Sequence, residues 1–461
     1  MTGARKLVGG GRSRYTRLVQ SHDVVVIGGG PAGSTAASLL ARSGRRVLVL
    51  DRERFPRYHI GESLLSATLP ILAHVGVLPA VQAAGFVPKP GGTFVWGANR
   101  EPWTFWFRED PGGYAQSFHV LRSEFDHILL RHAASQGAEV RDGCEVEAVD
   151  GTGPFVVRGR VDDRTPLVAE CSHVVDASGQ RALLGSREQL REYNPFFKNL
   201  ALWSYYADAG RMEGPLANNI LSAAHDEGWC WYIPLHDGTI SVGAVVDAGR
   251  WRERARGAQL AATYEHLIGR CEPVMRLLQG ARQVAPVRVI RDYSYSSRSF
   301  FTGGALLAGD AACFIDPVFS TGVHLACLAG LLAADCLEDV LGGRLAQAVA
   351  FERYDAAYRR AFERYRRFVT FFYNHHSAVD SYFWQARTLV DPGGGLAPRE
   401  AFVRLIAGTS DLSIRGETVD SVDERWSDSV ARGRPDLAPG MHMLRVAATL
   451  AEMRRIERKT A

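Results

Sequence analysis

The sequence predicts an α/β fold in two lobes with a helical C-terminal region, and three patterns predict it. Close to the N-terminus, an unbroken apolar stretch, a glycine-rich turn, a helical segment and a second apolar stretch follow one another as a β-α-β unit. Apolar segments ending in an acid and a glycine return to that lobe at residues 173–179 and 306–310. Between these returns lie aromatic-rich, strand-like segments suited to an inserted mixed sheet, and beyond Gly342 the pattern becomes helical.

Residues 1–22 carry five basic side chains, no acid and a Gly-Gly-Gly at 9–11, without the apolar core of a secretory signal, and read as a flexible leader. Asp23-Val-Val-Val-Ile-Gly opens the ordered chain as a strand buried on both faces. Residues 28–44 read as turn plus helix and 46–51 as a second strand, joined by a right-handed crossover. Residues 93–120 are rich in strand-forming aromatics: Trp96, Trp103, Phe105, Trp106 and Phe107. A helix is expected over 123–136 with Ser123 as its N-cap, and a strand pair around Val140, Val146 and Val149. Residues 201–208 and 229–246 are strand-like, and a long helix starts at about Thr321. The nucleotide-binding lobe is therefore expected from residues 23–92, 121–200 and 285–340, a substrate lobe from 93–120 and 201–284, and a helical region from 341–461.

The 461 residues are 46% hydrophobic and 23% charged, values of a globular chain rather than a disordered one. A net charge of +4 argues against a nucleic-acid partner. No segment offers the roughly 20 apolar residues of a membrane span. Seven cysteines, an odd number without a C-x-x-C pair, fit reduced thiols and a cytoplasmic protein, and no metal site is expected. Only four of the 54 basic residues are lysines: Lys6, Lys89, Lys198 and Lys459. Arginine cannot replace lysine where a compact amine of tunable pKa is needed.

Gly28-Gly-Gly-Pro-Ala-Gly33 matches G-x-G-x-x-G between strand and helix, a Rossmann-like signature that includes Pro31 and Ala32. Gly28 allows the tight turn, Gly30 the approach of backbone to a pyrophosphate, and Gly33 close helix–strand packing. Asp51, 18 residues after Gly33 and followed by Arg52, is placed to accept a ribose hydroxyl. Asp310 follows an apolar strand and precedes Pro317 and another helix, a position from which a carboxylate can bond the ribityl chain of a flavin. With Asp176-Ala-Ser-Gly179, these residues resemble the FAD-dependent hydroxylase superfamily over roughly residues 23–337.

Within that superfamily the sequence resembles a flavin-dependent halogenase of the phenol or pyrrole branch. The resemblance is carried by Trp229-Cys-Trp-Tyr-Ile-Pro234, matching W-x-W-x-I-P, with Pro56-Arg-Tyr-His-Ile-Gly-Glu-Ser-Leu-Leu65, Lys89-Pro-Gly-Gly-Thr-Phe-Val-Trp-Gly97 and Asp316-Pro-Val-Phe-Ser-Thr-Gly322. It implies FAD used as FADH2 from a separate flavin reductase, O2, and chloride or bromide. It implies further that a C4a-hydroperoxyflavin oxidises the halide to hypohalous acid, which Lys89 relays to the substrate, through a hydrogen bond or as a chloramine. Trp229 and Trp231 would then keep the arene from the flavin; spaced by two, they share a strand face, which two core aromatics would also do. Backbone N–H groups of Ser320, Thr321 and Gly322 would seat the halide, and the same residues read equally as a helix N-cap. The resemblance gives Arg57, His59, Glu62 and Ser63 flavin-positioning places. Phe319 stands where halogenases of free tryptophan carry a glutamate, which points to an electron-rich phenol or pyrrole, free or tethered to a carrier protein. Arg359, Arg360, Arg366 and Arg367 would dock an acidic carrier, or are a solvated helix face. A hydroxylase or prenyl-chain reductase of the same superfamily, and a non-catalytic FAD-binding protein, are the competing readings.

Overall fold

The computed structural model describes residues 16–412, apart from 111–112, 250, 252–258, 292 and 374–376, together with His442 and Val446. The expected leader at residues 1–15 lies outside the described residues. Its remainder does not behave as a leader: the first strand, β1, runs Thr16–Ile27, and Thr16 and Arg17 pair with Leu167 and Val168. Backbone pairing with a neighbouring strand satisfies N–H and C=O groups whatever the side chains are, which is why residues 16–22 are paired despite their polar composition.

β1 is central in the first sheet. β2 (Val47–Leu50) and β10 (Thr165–Asp176) flank it in parallel, and Val24–Ile27 meet Val47–Leu50 on one side and His173–Asp176 on the other. β7 (Glu139–Arg141) extends the sheet beyond β2, and β20 (Ala305–Leu307) beyond β10, both in parallel. β19 (Phe301–Thr302), β9 (Phe155–Val161) and β8 (Cys144–Asp150) add antiparallel edges. Helix α1 (Pro31–Arg42) and the helix Thr321–Leu341 pack against each other beside this sheet.

The second sheet is mixed. β12 (Asn199–Ala207), β15 (Ile240–Asp247), β14 (Gly228–Pro234) and β13 (Ile220–His225) pair antiparallel in that spatial order. β4 (Gly91–Val95) joins β13 in parallel and β5 (Pro102–Trp106) closes the edge. β16 (Arg282–Gln283) and β17 (Arg288–Arg291) pair with β12. The second sheet therefore reaches to Gly91 and Arg291 and starts again at Asn199, across the expected boundaries at 92, 200 and 284. Its two faces serve different cores. Trp203, Trp229 and Trp231 face the first lobe, whereas Leu202, Cys230 and Tyr232 pack on the helices Leu260–Gly269 and Glu272–Leu277.

Three further corrections concern smaller elements. β6 (Ser117–His119) pairs with β3 (Val87–Lys89) in a ribbon of its own rather than with the second sheet. Residues 62–65 run along the other side of β6, with Val120 N–H to Glu62 O at 2.7 Å and Leu64 N–H to Phe118 O at 3.0 Å. The expected helix at 123–136 runs Arg122–Ser135 with Leu121 as N-cap, so Ser123 caps nothing. Arg122 grips Asp126 one turn on with both Nε and Nη2, at 2.8 and 2.9 Å, a pairing that requires Arg122 to be helical already. A small third sheet joins β11 (Arg191–Tyr193), β18 (Tyr295–Ser297) and β21 (Cys313–Phe314).

The helices Gln347–Phe372, Val379–Val390 and Pro398–Ala407 close over the second sheet's aromatic edge. Phe372 stacks on Trp96 at 4.8 Å, and Phe402 meets Trp103 and Phe105 edge-on. Such pairs contribute about 0.5–1.5 kcal/mol each beyond burial. Among the described residues no helix is long and apolar enough to cross a membrane, and no His, Cys, Asp and Glu group is arranged to hold a metal.

Candidate active site

A cleft of about 450 Å³ runs between the two sheets. One end is built by the glycine turn: Gly28, Gly30, Pro31 and Ala32 line it, as do Asp51 and Arg52. Gly28 has φ +106, and a side chain there would meet Ala177 O at 2.2 Å. Gly33 lies beneath, where a Cβ would meet Gly28 O at 1.9 Å, so it serves packing and does not line the cleft. The first turn of α1 has no side-chain cap, which leaves its N–H groups free for phosphate oxygens. Asp51 is held by Gly29 N–H at 2.7 Å and Glu53 N–H at 2.9 Å, which aims its carboxylate at the cleft. Asp310, Pro317, Ser320 and Gly322 line the middle. Burial raises the Asp310 carboxyl to about 6, against the pull of Arg122 and Arg191. An uncapped helix, a carboxylate at the end of the second strand and a second acid farther along are the donors and acceptors that an FAD stretched through the cleft requires.

One charged cluster under the cofactor cleft, which joins Arg57 to Arg122 and Asp126, was not read from the sequence, although Arg57 itself was given a flavin-positioning place. Asp126, fully buried, accepts from Arg122 and lies 2.9 Å from Arg57 Nη1. Burial alone would raise its pKa, yet the two guanidinium groups hold it below the usual carboxylate value. Arg122 also donates to Ile60 O at 2.6 Å, tying residues 57–63 across the cleft. Spacing of four between Arg122 and Asp126 was the available signal; Arg57 is brought in only by the fold.

The far end of the cleft is formed by Trp229 and Trp231, with ring centroids 6.0 Å apart, beside Trp203 and Ile233. Trp229 Nε1 donates to Tyr373 Oη at 2.8 Å, and Tyr373 donates to the buried carboxylate of Asp316 at 2.7 Å. Trp231 Nε1 donates to Ser241 Oγ at 3.2 Å, and its ring lies flat on Gly243, where a Cβ would fall 2.1 Å from the indole. Tyr373 and Gly243 are thus both needed to fix the indoles. Gly243→Ala is expected to displace Trp231 and destabilise the fold by roughly 1–3 kcal/mol, read as a lowered melting temperature and altered tryptophan fluorescence. Unchanged emission with unchanged stability would show the indole free to move.

Lys89, Phe319 and Thr321 do not line the cleft. Lys89 is 2% exposed; its ammonium donates to Leu64 O at 3.0 Å and sits 5.3 Å from the Phe107 ring centre. Burial without a carboxylate partner lowers its pKa to about 7. Phe319 stacks on Phe368 at 5.2 Å and meets Phe372 at 4.6 Å, a purely aromatic setting. Ser320 is left-handed, φ 58, and caps the helix Thr321–Leu341 without a side-chain hydrogen bond, so the N-cap reading of its hydroxyl fails.

Burial shifts both His59 and Glu62 toward their uncharged forms. His59 donates through Nδ1 to Ile60 O at 2.6 Å, and burial drops its pKa to about 4. Glu62 lines the cleft, accepts from Tyr205 Oη at 2.8 Å, and is raised by burial to about 7 despite the nearby Ser241 and Tyr205 hydroxyls and Arg122. The cleft thus offers a phosphate end, two acids along its length, and an aromatic end with a carboxyl that is partly protonated at neutral pH.

Known proteins are similar to this chain in sequence and fold. Residues 23–113 and 108–428 match the family model described as tryptophan halogenase. A tryptophan 2-halogenase of Chondromyces crocatus is 35% identical over 408 residues, 86% of this chain and 77% of that one. The myxobacterial chondrochloren halogenase CndH has 39% identity and a TM-score of 0.73 over 93% of this chain and 97% of its own. CmlS, a flavin-dependent halogenase, has 33% identity and a TM-score of 0.71 over 90% and 72%. The chain belongs to the flavin-dependent halogenases.

Proposed function

We propose that this enzyme halogenates an electron-rich phenol or pyrrole, with hypohalous acid passed from the cofactor cleft to Lys89. Bound as FADH2 and with O2, the flavin supplies the oxidising power that turns halide into hypohalous acid. Gly28, Gly30, Asp51 and Asp310 hold and orient it; Trp229 and Trp231 exclude the arene from it; Lys89 receives the acid beyond them. The observation that carries this reading is the amine itself, buried, outside the cleft and without a carboxylate partner. A structural lysine of that burial would be expected to have an acid beside it.

Halide is seated at the start of the helix Thr321–Leu341, where no side chain caps the N–H groups. The substrate preference rests on Phe319: its aromatic surroundings hold no acid to take up a ring proton, so a substrate whose own OH or NH feeds the ring suits the site. Arg360 and Arg367 are exposed and would meet an acidic carrier, whereas Arg359 and Arg366 pair with Asp355 and Glu363. A separate flavin reductase supplies FADH2, and seven buried free thiols suit a reducing cytoplasm. The test supplies the full chain with FAD, a flavin reductase, NADH, chloride or bromide, and phenols and pyrroles both free and carrier-loaded. Mass spectrometry should find halogenated phenol or pyrrole only with halide present; products of oxygenation, or halogenation of tryptophan alone, would overturn the reading.

A further inference from the structure

We propose that His119 is the station that holds hypohalous acid between the cofactor cleft and Lys89, through the bare Nδ1 of its imidazole; this rests on the proposed delivery of that acid to Lys89. Backbone pairing builds the route. Ser63 and His119 face each other as an antiparallel bridge, flanked by Leu64 N–H to Phe118 O and Val120 N–H to Glu62 O, the pattern in which opposed side chains lie closest. On the other side of β6, His119 stands opposite Val87 and Ser117 opposite Lys89. Opposed residues share a face, as do residues two apart along a strand. Ser63, His119, Ser117 and Lys89 therefore project from one face of the ribbon.

The row has one end in the cleft and one outside it. Ser63 lines the cleft, whereas His119, Ser117 and Lys89 do not. Ser63 Oγ and His119 Nδ1 are both buried without a hydrogen-bond partner, so each has a bond to offer a small polar molecule. The tautomer of His119 follows from its other nitrogen. Nε2 lies 3.0 Å from Asn218 O, a carbonyl that can only accept, so Nε2 carries the hydrogen and Nδ1 a lone pair. Burial first, and then the positive charges of Lys89 and Arg211, keep the ring uncharged against the pull of the Asn218 carbonyl. The way past the indoles through Phe319 is aromatic instead, ringed by Phe94, Phe368 and Phe372.

A lone pair suits hypohalous acid and repels the anions around it. HOX has one O–H to give and an oxygen that accepts. Its O–H donates to Nδ1, while its oxygen accepts from the Ser63 hydroxyl on the cleft side and from the Lys89 amine on the far side. Halide and hypohalite have no proton to give, and an unpaired anion is costly to bury. Nδ1 therefore passes the neutral acid and holds back the halide from which it is made. No covalent bond forms or breaks at His119; the halogen meets its acceptor at Lys89.

The experiment compares the full chain with its His119→Leu and His119→Gln variants, each given FAD, a flavin reductase, NADH, halide and the panel of phenols and pyrroles. His119→Leu should bind FAD and reoxidise reduced flavin within about twofold of the parent, since His119 does not line the cleft. Product per flavin oxidised should fall roughly tenfold, the worth of one lost hydrogen bond. The missing oxidant should appear as hydrogen peroxide or as halogenated taurine in the buffer. A side chain needed only for packing would lower the melting temperature and leave that partition alone. Glutamine keeps one donor and one acceptor, and should restore about half of the coupling. Should both variants misfold, a crystal structure of the parent decides. It should show a water held by His119 Nδ1; Nδ1 bonded to a protein donor would overturn the station. A folded His119→Leu that couples as well as the parent would overturn it too. A parent that makes no halogenated product, or a Lys89→Ala variant that makes as much as the parent, would instead sink the reading on which the station rests.

Discussion

Lys89→Ala is expected to bind FAD within about twofold of the parent and to lose halogenation by at least ~100-fold, the scale on which a single catalytic side chain acts. The lysine does not touch the cofactor cleft, so flavin binding has no reason to change. Its amine donates to Leu64 O, sits over the Phe107 face and acts on the buried His119, whose pKa burial already holds well below the ordinary value. Lys89→Arg should fail as well, since a guanidinium stays protonated and cannot offer a neutral amine. Normal product from Lys89→Ala would remove the lysine from the chemistry. A second reading needs no turnover. With a folded pKa of about 7 against an ordinary 10.5, the unfolded chain binds more protons at this position between those values, so stability rises as pH climbs from about 7 toward 10. Lys89→Met should flatten that rise by a few kcal/mol in denaturant titrations at pH 7 and pH 9.5. A parallel slope in both proteins would mean that the amine is hydrated.

Gly28→Ala should weaken FAD binding severely. The turn needs φ +106 and leaves only 2.2 Å between a Cβ and Ala177 O, a contact no side chain can make without moving β10. Strained backbone of this kind costs about 1–3 kcal/mol before the clash is counted, and each 1.4 kcal/mol is tenfold in affinity. Fluorescence titration should find FAD bound at least ~100-fold more weakly, with a melting temperature several degrees below the parent. Retention of parental affinity would place the pyrophosphate elsewhere.

The parts of the site made by short stretches of chain were legible beforehand. The β-α-β unit follows from continuous apolar strands and the glycine spacing, and the shared face of Trp229 and Trp231 follows from the two-residue period of a strand. Lys89, whose part in the reaction is the proposal made above, was singled out by its neighbours and by the scarcity of lysine. Parts assembled from distant segments were not legible. Tyr205 and Glu62 are 143 residues apart, and Trp229 and Tyr373 are 144 apart. No local pattern encodes such pairs; they exist only once the second sheet is laid over the first lobe and the C-terminal helices close on it. Strand limits were missed at Thr16, Gly91 and Arg291 because edge pairing depends on a neighbour's free backbone groups more than on side-chain character.

The alternation along β14 has a practical outcome. Because Cys230 and Tyr232 belong to a different core from the two indoles, the hydrophobic layer behind the strand can be repacked separately from the chamber in front. Volume-conserving swaps at Leu202, Val242 and Leu267 should therefore alter the scaffold behind the strand while leaving the indole chamber in front unchanged.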